Sequence, residues 1–298
     1  MMTYAGPLAA LATALCWSTN SVLFTLAGRR VGSPTVNIAR PCFALVAMVG
    51  LHTLLLGTPF PADDGERRFV WLGISGLIGF ALGDAVLFES FVRLGPRLAM
   101  LIMTLWPIFA TVLAWIFLGE RLGLAHLAAM AATLGGIAWV VSDKPSGEGL
   151  GPRKLASGVL LAVGGALGQA VGFLFSRFGL EGGFHPVSAN LLRVLAATLA
   201  LGGWMLLRGQ LLGHLGKLRD RTAFGLIAVG AAAGPVAGVV LSLYAQSHAP
   251  QGVAATLMSV SPVILLPVSA ALFGERITGR AIAGTLLTVG GAAVLFLL

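Results

Sequence analysis

Three charged side chains lie deep inside long apolar stretches of this sequence, where a charged group is costly. Arg40 is about six residues and Asp84 about eight residues from the same predicted membrane face, so both are roughly 9–12 Å deep at 1.5 Å per residue. Arg193 has a mirrored depth from the opposite face. An ionised group within a span costs roughly 2.5–3.5 kcal/mol on insertion scales, so it needs a partner or a wet cavity. Arg40 and Asp84 therefore predict a buried ion pair.

Two interpretations of this ion pair stay open. It is either a fixed salt bridge that neutralises both charges, or a functional site in which Asp84 binds a proton or a substrate ammonium group. The counterpart of Asp84 in the second half of the chain is Val239, so Arg193 needs a different partner. A backbone carbonyl or Gln246 is expected in that role, unless the guanidinium extends to the membrane interface.

Aromatic and polar side chains at similar depth predict the wall of a substrate cavity. Trp17 and Asn20 lie about one helical turn apart, which places an aromatic ring beside an amide. Gln169 is expected in a cavity or an interhelical hydrogen bond, because an amide that faces lipid is unsatisfied. Trp106 and Ser259 add further candidates. The acids are otherwise scattered and the histidines unpaired, so the sequence predicts no catalytic group and no metal site.

Apolar helices must position these residues. Hydrophobic residues make up 57% of the 298 and charged residues only 10%, and the mean hydropathy is +0.93, far above that of a soluble domain. Stretches of about twenty residues, long enough to cross about 30 Å of hydrocarbon, recur along the whole chain. The ten predicted spans are 4–27, 34–57, 69–92, 98–118, 123–142, 155–178, 187–207, 222–245, 252–273 and 279–298.

The chain repeats one pattern. Pro107 precedes Glu120 of a Gly-Glu-Arg sequence by thirteen residues, and Pro262 precedes Glu275 of another by the same distance. Two glycine pairs keep the same offset of 155, Gly135-Gly136 and Gly290-Gly291. The repeat predicts a duplication, with a first unit at 4–142, a linker at 143–154 and a second unit at 155–298. The prolines are predicted to kink or hinge their helices, and the glutamates to cap short turns.

Five spans per unit require the second copy to enter the membrane from the opposite side. Loops on the side of residue 1 carry four Lys and Arg, and loops on the other side carry thirteen, which predicts cytoplasmic placement for the second side and external termini. The predicted fold is therefore an all-α polytopic membrane protein with ten transmembrane helices in two inverted five-helix repeats. Glu89 and Arg93 have the i, i+4 spacing of a local surface pair.

The sequence resembles the drug/metabolite transporters of the EamA type. The likeness spans about residues 8–297 and rests on two five-helix halves, the Trp17-Ser18 pair, Arg40 and Arg193 in the second helix of each half, and the doubled proline to Gly-Glu-Arg pattern. This resemblance implies a carrier that moves a small polar organic solute by alternating access. It implies a central cavity lined by helices 1, 3, 4, 6, 8 and 9, and amino acids or related metabolites as common cargo.

The predicted function is export of a small polar organic metabolite, most simply an amino acid or a relative, through the inner cell membrane. No cofactor is expected, because the sequence has no Walker A motif and no cluster of metal ligands. The net charge of +8 is spread over short loops and forms no nucleic-acid patch. The expected partners are the solute and the bilayer, and both repeats in one chain permit a monomer. An integral-membrane enzyme acting on a lipid or lipid-linked substrate and a passive pore stay open as alternatives.

Overall fold

The fold was analysed in a computed structural model of the full chain. It describes residues 4–61, 65–94, 99, 102–142, 152–261, 263–264, 267 and 278–298. Every regular element among these residues is helical. The predicted all-α class is confirmed for this part of the chain.

The helices follow one another with short connections. The first half contains α1 (Ala5–Val31), α2 (Ser33–Leu56), α3 (residues 66–94), α4 (Trp106–Leu118) and α5 (Leu124–Ser142). The second half contains α6 (Pro152–Leu180), α7 (Pro186–Leu207), α8 (Arg221–His248), α9 (Gln251–Met258) and α10 (Gly279–Leu297). A short connecting helix between α7 and α8, Leu211–Lys217, was not predicted from the sequence.

Seven of these helices are long and apolar enough to cross a membrane: α1, α2, α3, α6, α7, α8 and α10. The described parts of α4 and α5 are shorter apolar helices. Large apolar side chains cover much of the outside, and Leu54, Leu124 and Leu207 are each more than 80% exposed. An apolar exterior of this extent belongs in lipid.

Two helices contain a π-helical segment at the same place in each half. In α3 the segment is Gly76–Gly83, between α-helical parts Glu66–Ser75 and Asp84–Leu94. In α8 it is Ala232–Gly238, between Arg221–Ala231 and Val239–His248. The π-helix is rare, and where it interrupts an α-helix it is frequently at a functional site. Asp84 and Val239 each follow directly after the π segment.

The two halves pack by exchanging partners. Helix α1 of the first half lies against α8 of the second, and α6 of the second half lies against α3 of the first. Equivalent helices of the two halves also contact each other, α2 with α7, α4 with α9 and α5 with α10. Helices of each half therefore pack directly against helices of the other half.

The contact between α5 and α10 repeats itself across the pair. A Cβ atom added at Gly136 would lie 2.5 Å from the Thr288 hydroxyl, and one added at Gly291 would clash with the Thr133 hydroxyl. Gly136 and Gly291, like Thr133 and Thr288, are separated by the 155-residue offset of the sequence repeat. The helices thus approach closely through glycine, as small residues permit in lipid.

Glycines also bring α3 and α6 together at the π segment. A Cβ atom at Gly172 would lie 2.8 Å from the Cα of Gly79, and one at Gly168 would lie 3.1 Å from the Cα of Gly83. The Ser75 hydroxyl donates a hydrogen bond of 2.6 Å to the Gly172 carbonyl. This backbone-to-backbone contact fixes the π segment, and Asp84 after it, against α6.

Loop contacts tie the ends of the two halves. Arg30 at the end of α1 pairs with Asp220 before α8 at 3.0 Å. Asp220 also accepts hydrogen bonds from the backbone N–H groups of Thr222 and Ala223 and so caps α8. The backbone bond from Ala223, then the Arg30 guanidinium and last the backbone bond from Thr222 lower the pKa of Asp220.

The opposite end of the bundle is joined by Glu120. Its carboxylate accepts a hydrogen bond of 2.8 Å from the N–H of Gln251, the first residue of α9. Glu120 therefore caps a helix of the other half, whereas the sequence predicted a cap on its own turn. At the same end, Gly6 of α1 lies against the carbonyl of His248 at the end of α8.

Helices α4 and α9 are interrupted at equivalent points. In α4 a turn at Thr104 and Leu105 precedes Trp106 and Pro107, so Pro107 stands in the first turn of a new helical segment. In α9 the helix ends at Met258 and a turn follows at Ser259. Proline is well tolerated in a first turn, because its missing N–H would have no partner there. Pro262 and Glu275 lie outside the described residues.

Candidate functional site

A charged cluster lies where the π segment of α3 meets α2, α6 and α7. Asp84 forms an ion pair through its Oδ2 with the Arg40 guanidinium. Its Oδ1 accepts a hydrogen bond of 3.2 Å from the amide nitrogen of Gln169. Only 14% of the Arg40 side chain and 9% of the Asp84 side chain are exposed. The predicted ion pair and the predicted interhelical bond of Gln169 both form, on the same carboxylate.

Arg193 joins this cluster from α7. Its guanidinium carbon lies 4.8 Å from the centroid of the Phe80 ring, a cation–π contact. The residue is 5% exposed and interacts electrostatically with Asp84. Among the described residues its Nε has no hydrogen-bond partner. The predicted escape to the membrane interface does not occur, because Arg193 is held within the bundle.

An aromatic group lies beside the charged cluster. Trp17 of α1 and Trp106 of α4 are tilted against each other with ring centroids 6.5 Å apart. Trp106 also meets Phe173 of α6 edge to face, at 5.4 Å and 88°. Aromatic rings prefer such tilted contacts to face-to-face stacking. Three helices from both halves thus supply one aromatic wall.

Helix α6 connects the two groups. Gln169, which bonds Asp84, and Phe173, which contacts Trp106, are four residues apart and so lie about 6 Å apart on one helix face. Charged, amide and aromatic groups therefore line adjacent positions. Phe173 and Phe80 were not predicted, since phenylalanine in an apolar helix carries no sequence signal that separates site from core.

The other predicted site residues lie in the surrounding packing. Asn20 is partly exposed and packs on Gly234 of the α8 π segment, where any larger residue would clash with its amide. The buried Ser259 hydroxyl donates to the Ala255 carbonyl of its own helix at 3.0 Å. Val239, the counterpart of Asp84, is buried among apolar side chains.

The serines beside this region join α1 to the interruption of α9. The Ser18 hydroxyl donates to the Ser261 carbonyl at 3.0 Å, and the Ser261 hydroxyl donates to the Ala14 carbonyl at 3.0 Å. These two hydrogen bonds give the carbonyl groups of Ser261, beside the interruption of α9, and of Ala14 in α1 a side-chain donor each. Ser18 was noted only as part of the Trp17-Ser18 pair.

Gln246, one of the two partners expected for Arg193, bonds other residues instead. The side-chain oxygen of Gln246 accepts a hydrogen bond of 3.0 Å from Ser176, and its backbone carbonyl accepts one from Arg177. Ser176 lies about two turns along α6 from Gln169, roughly 10 Å away. Gln246 thus serves the end of α6, and Phe80 and Asp84 are the groups close to Arg193.

A pocket opens beside the cluster, between α2, α7 and the two π segments. It is lined by Arg40, Pro41, Phe80, Val194, Ala197, Leu201 and Pro235. Arg40 is the charged residue of this lining, and Phe80, which contacts Arg193, is an aromatic one. Residues from both halves contribute to it.

The two interrupted helices differ in burial. Residues 251–261, which comprise α9 and the turn that follows it, are all buried. Their counterparts in α4 that the structure describes next to the break, residues 102–105, are all partly exposed. The start of α9, where Glu120 caps the helix, is therefore buried in the bundle, whereas the described residues before the break in α4 are partly exposed.

This arrangement can bind a small solute by ion pairing, hydrogen bonding and aromatic contact. Within the described residues no group of three or more His, Cys, Asp or Glu could hold a metal ion. The sequence profile of the EamA-like transporter family matches residues 4–142 and 156–297, which is most of the chain. The chain belongs to the EamA-like transporter family.

Two related proteins carry a transport description. A "Probable terminal-alkyne amino-acid exporter" of Streptantibioticus cattleyicolor is 33% identical over 144 residues, and the match spans 48% of this chain and 46% of the exporter. An "Uncharacterized transporter" of Archaeoglobus fulgidus is 25% identical over 296 residues, 98% of this chain and 97% of that protein. The chain thus aligns with about half the length of the first relative and nearly all of the second.

A solved crystal structure has the same fold. It superposes with a TM-score of 0.74 at 21% identity, and the match covers 97% of this transporter and 95% of that chain. The fold of this chain is therefore one found in an experimental structure. This likeness concerns the fold alone.

Proposed function

We propose that this EamA-family transporter exports a small polar metabolite of the amino-acid class by alternating access. The observation that carries the proposal is the charged cluster of Asp84, Arg40, Gln169 and Arg193 beside the aromatic wall. Such a mixture suits a zwitterion with an apolar side chain, because ionic and apolar groups of the solute each meet a matching surface. The similarity to a protein described as an amino-acid exporter supports this class.

The two halves are proposed to be inverted repeats of five helices each in the inner cell membrane, with both termini outside. The loop contacts support this, since Arg30 and Asp220 bring the end of α1 to the start of α8. At the opposite end Arg68, near the start of α3, donates to the Glu181 carbonyl after α6. The equivalent helices α3 and α8 therefore start from opposite ends. Labelling of single cysteines at residues 30 and 68, in a chain without Cys16 and Cys42, tests the arrangement: accessibility from the same side overturns it.

Access is proposed to alternate through the interrupted helices α4 and α9, with Pro107 and Pro262 as hinges. In the proposed topology the buried α9 segment lies toward the outside, and the looser α4 segment lies toward the cytoplasm. The structure then corresponds to a state closed to the outside. A cross-link that locks α9 to α4 at the outside end should leave solute binding intact and abolish transport. Continued transport would contradict the hinge role.

Asp84 is the proposed proton site if transport is coupled to protons. Replacement of Asp84 by Asn and measurement of the transport rate against pH tests this role. A flattened pH profile supports it, and an unchanged profile removes Asp84 as the coupling group.

The function is tested first by binding. The purified full chain in lipid nanodiscs is heated with a panel of amino acids, amines, sugars and nucleosides, because a ligand that binds the folded state raises the apparent melting temperature with its concentration. Stabilisation by amino acids alone supports the proposal. Stabilisation by another class, or conversion of a lipid-linked compound by the protein, contradicts it.

A further inference from the structure

The two deep arginines occupy equivalent positions but have unequal partners. Each stands near the start of the second helix of its half, in the matching sequences Asn37-Ile38-Ala39-Arg40 and Asn190-Leu191-Leu192-Arg193. Arg193 lies against Phe80 of the α3 π segment, and Arg40 lines a pocket with Pro235 of the α8 π segment. The surroundings of the two arginines therefore repeat, because each arginine lies beside the π segment of the other half.

The acid that follows the π segment is present in one half only. Asp84 directly follows the first π segment and pairs with Arg40. Val239 directly follows the second π segment and is 4% exposed, packed in an apolar cluster against which Phe80 also lies. The repeat thus places an aliphatic side chain where the Arg193 guanidinium would meet a carboxylate.

Among the residues that the structure describes, the cluster consequently holds two guanidinium groups and one carboxylate, which leaves one positive charge without a paired acid. Within the ten predicted spans the sequence has two acids, Asp84 and Glu89, and Glu89 is paired with Arg93 at 2.9 Å near the surface. Asp84 is shared between two guanidinium groups. Burial of an uncompensated charge is expensive, so an anion that reaches Arg193 is strongly favoured.

We infer that Arg193 binds the carboxylate of the transported solute, which takes the place in the second half that Asp84 takes in the first. This inference rests on the proposed function and names its chemical requirement: a free carboxylate with a single negative charge. A single carboxylate charge pairs one to one with the Arg193 guanidinium, whereas the double charge of a phosphate monoester would exceed it. The planar guanidinium matches a carboxylate with two parallel hydrogen bonds, and its unpartnered Nε supplies a donor.

The ligand test uses the wild-type chain in nanodiscs and three probes that share the but-3-ynyl amine skeleton. L-propargylglycine has the carboxylate, its methyl ester masks it, and but-3-yn-1-amine lacks it. The inference expects thermal stabilisation by the acid and about tenfold or more weaker binding of the other two, because a hydrogen bond to a charged group contributes enough to binding for such a factor. Equal stabilisation by the acid and its methyl ester overturns the inference.

The variant Val239→Asp supplies the acid that the second half lacks. Its carboxylate should pair with Arg193 and lower the affinity for L-propargylglycine by about tenfold or more, since the solute must displace it. The matched variant Val239→Asn has a similar shape without the charge and should bind the acid like the wild type. An unchanged affinity in a folded V239D protein overturns the inference. If V239D does not fold, the affinity for L-propargylglycine is measured on Arg193→Lys instead, because this variant keeps the charge and loses the planar fork.

Failure of the proposed function has a separate signature. If no amino acid stabilises the wild type, amino-acid export is refuted, and the anion site is then judged with butanoate and benzoate. Stabilisation of the wild type but not of V239D by these monocarboxylates supports the carboxylate site with a different cargo. No stabilisation, or equal stabilisation of both proteins, overturns it.

Discussion

Replacement of Asp84 by asparagine removes the negative charge from a buried cluster that holds two guanidinium groups. The asparagine side-chain oxygen can still accept the hydrogen bond from Gln169, so the change isolates the ionic contribution of the pair with Arg40. Removal of one partner of a buried pair costs about 3–5 kcal/mol, because the remaining charge loses its compensation. With side chains only 14% and 9% exposed, we expect a loss near the lower end, about 3 kcal/mol.

This loss is measured as a fall in the melting temperature of the purified chain. At about 2–4 °C per kcal/mol for a large domain, D84N should melt roughly 6–12 °C below the wild type. The double variant R40Q/D84N should lose less than the sum of the two single variants by about 1–3 kcal/mol, since neither charge is left alone.

Glu89→Gln provides the control in the same helix. Glu89 pairs with Arg93 at 2.9 Å, but 48% and 39% of the two side chains are exposed. An exposed pair contributes about 0.2–1 kcal/mol, so E89Q should shift the melting temperature by no more than a few degrees. Equal shifts for D84N and E89Q, or strictly additive effects of R40Q and D84N, would refute a buried, coupled pair.

Three further changes test other contacts. Gly172→Ala places a methyl group 2.8 Å from the α3 backbone and should destabilise the chain by about 1–3 kcal/mol, whereas Gly202→Ala meets open space and should not; equal melting temperatures would contradict the close approach. Trp106→Ala should weaken solute binding about tenfold by loss of the aromatic wall, whereas Trp115→Ala, 61% exposed, should leave it unchanged, and the same affinity in both would exclude Trp106 from the site. Asp220→Ala removes a carboxylate whose pKa lies below its ordinary value of 3.8. The stabilisation that this carboxylate gives the folded chain is complete at pH 7 and is lost as the pH falls through the lowered pKa, so wild type and variant should melt at different temperatures at pH 7 only. A difference in melting temperature that persists in acid would contradict this.

The helical framework was largely predictable from the sequence because membrane insertion leaves a strong signal. Apolar stretches must be about twenty residues long to cross the hydrocarbon, and the seventh predicted span, 187–207, matches the helix Pro186–Leu207 within a residue. The repeat offset of 155 also predicts which residues share an environment, as the Gly136 and Gly291 contacts show. These features depend on local composition and on comparison of the chain with itself.

The ion pair was predictable for a related physical reason. Two opposite charges at equal depth in a medium of low dielectric constant are strongly favoured to pair, so depth alone predicted the ion pair of Arg40 and Asp84. The same reasoning failed for Arg193 and Gln246, because depth does not say which way a helix face turns. Gln246 turns toward Ser176 and Arg177 instead.

The π segments and the aromatic partners could not be predicted from single-helix patterns. A π segment needs one extra residue per turn, and the close contact of Gly79 with Gly172 on another helix accompanies it. Phe80 and Phe173 look like any core phenylalanine until neighbouring helices bring Arg193 and Trp106 against them. The connecting helix Leu211–Lys217 is too short for periodicity to indicate.

The most direct test of the carrier function is counterflow in proteoliposomes. Vesicles loaded with unlabelled L-propargylglycine are diluted into a trace of the radiolabelled compound, with protein-free vesicles as the control. A carrier that alternates access predicts a transient accumulation of label above equilibrium, which saturates with concentration and disappears when the internal amino acid is omitted. Uptake that rises linearly with the gradient and ignores the internal amino acid would contradict the account.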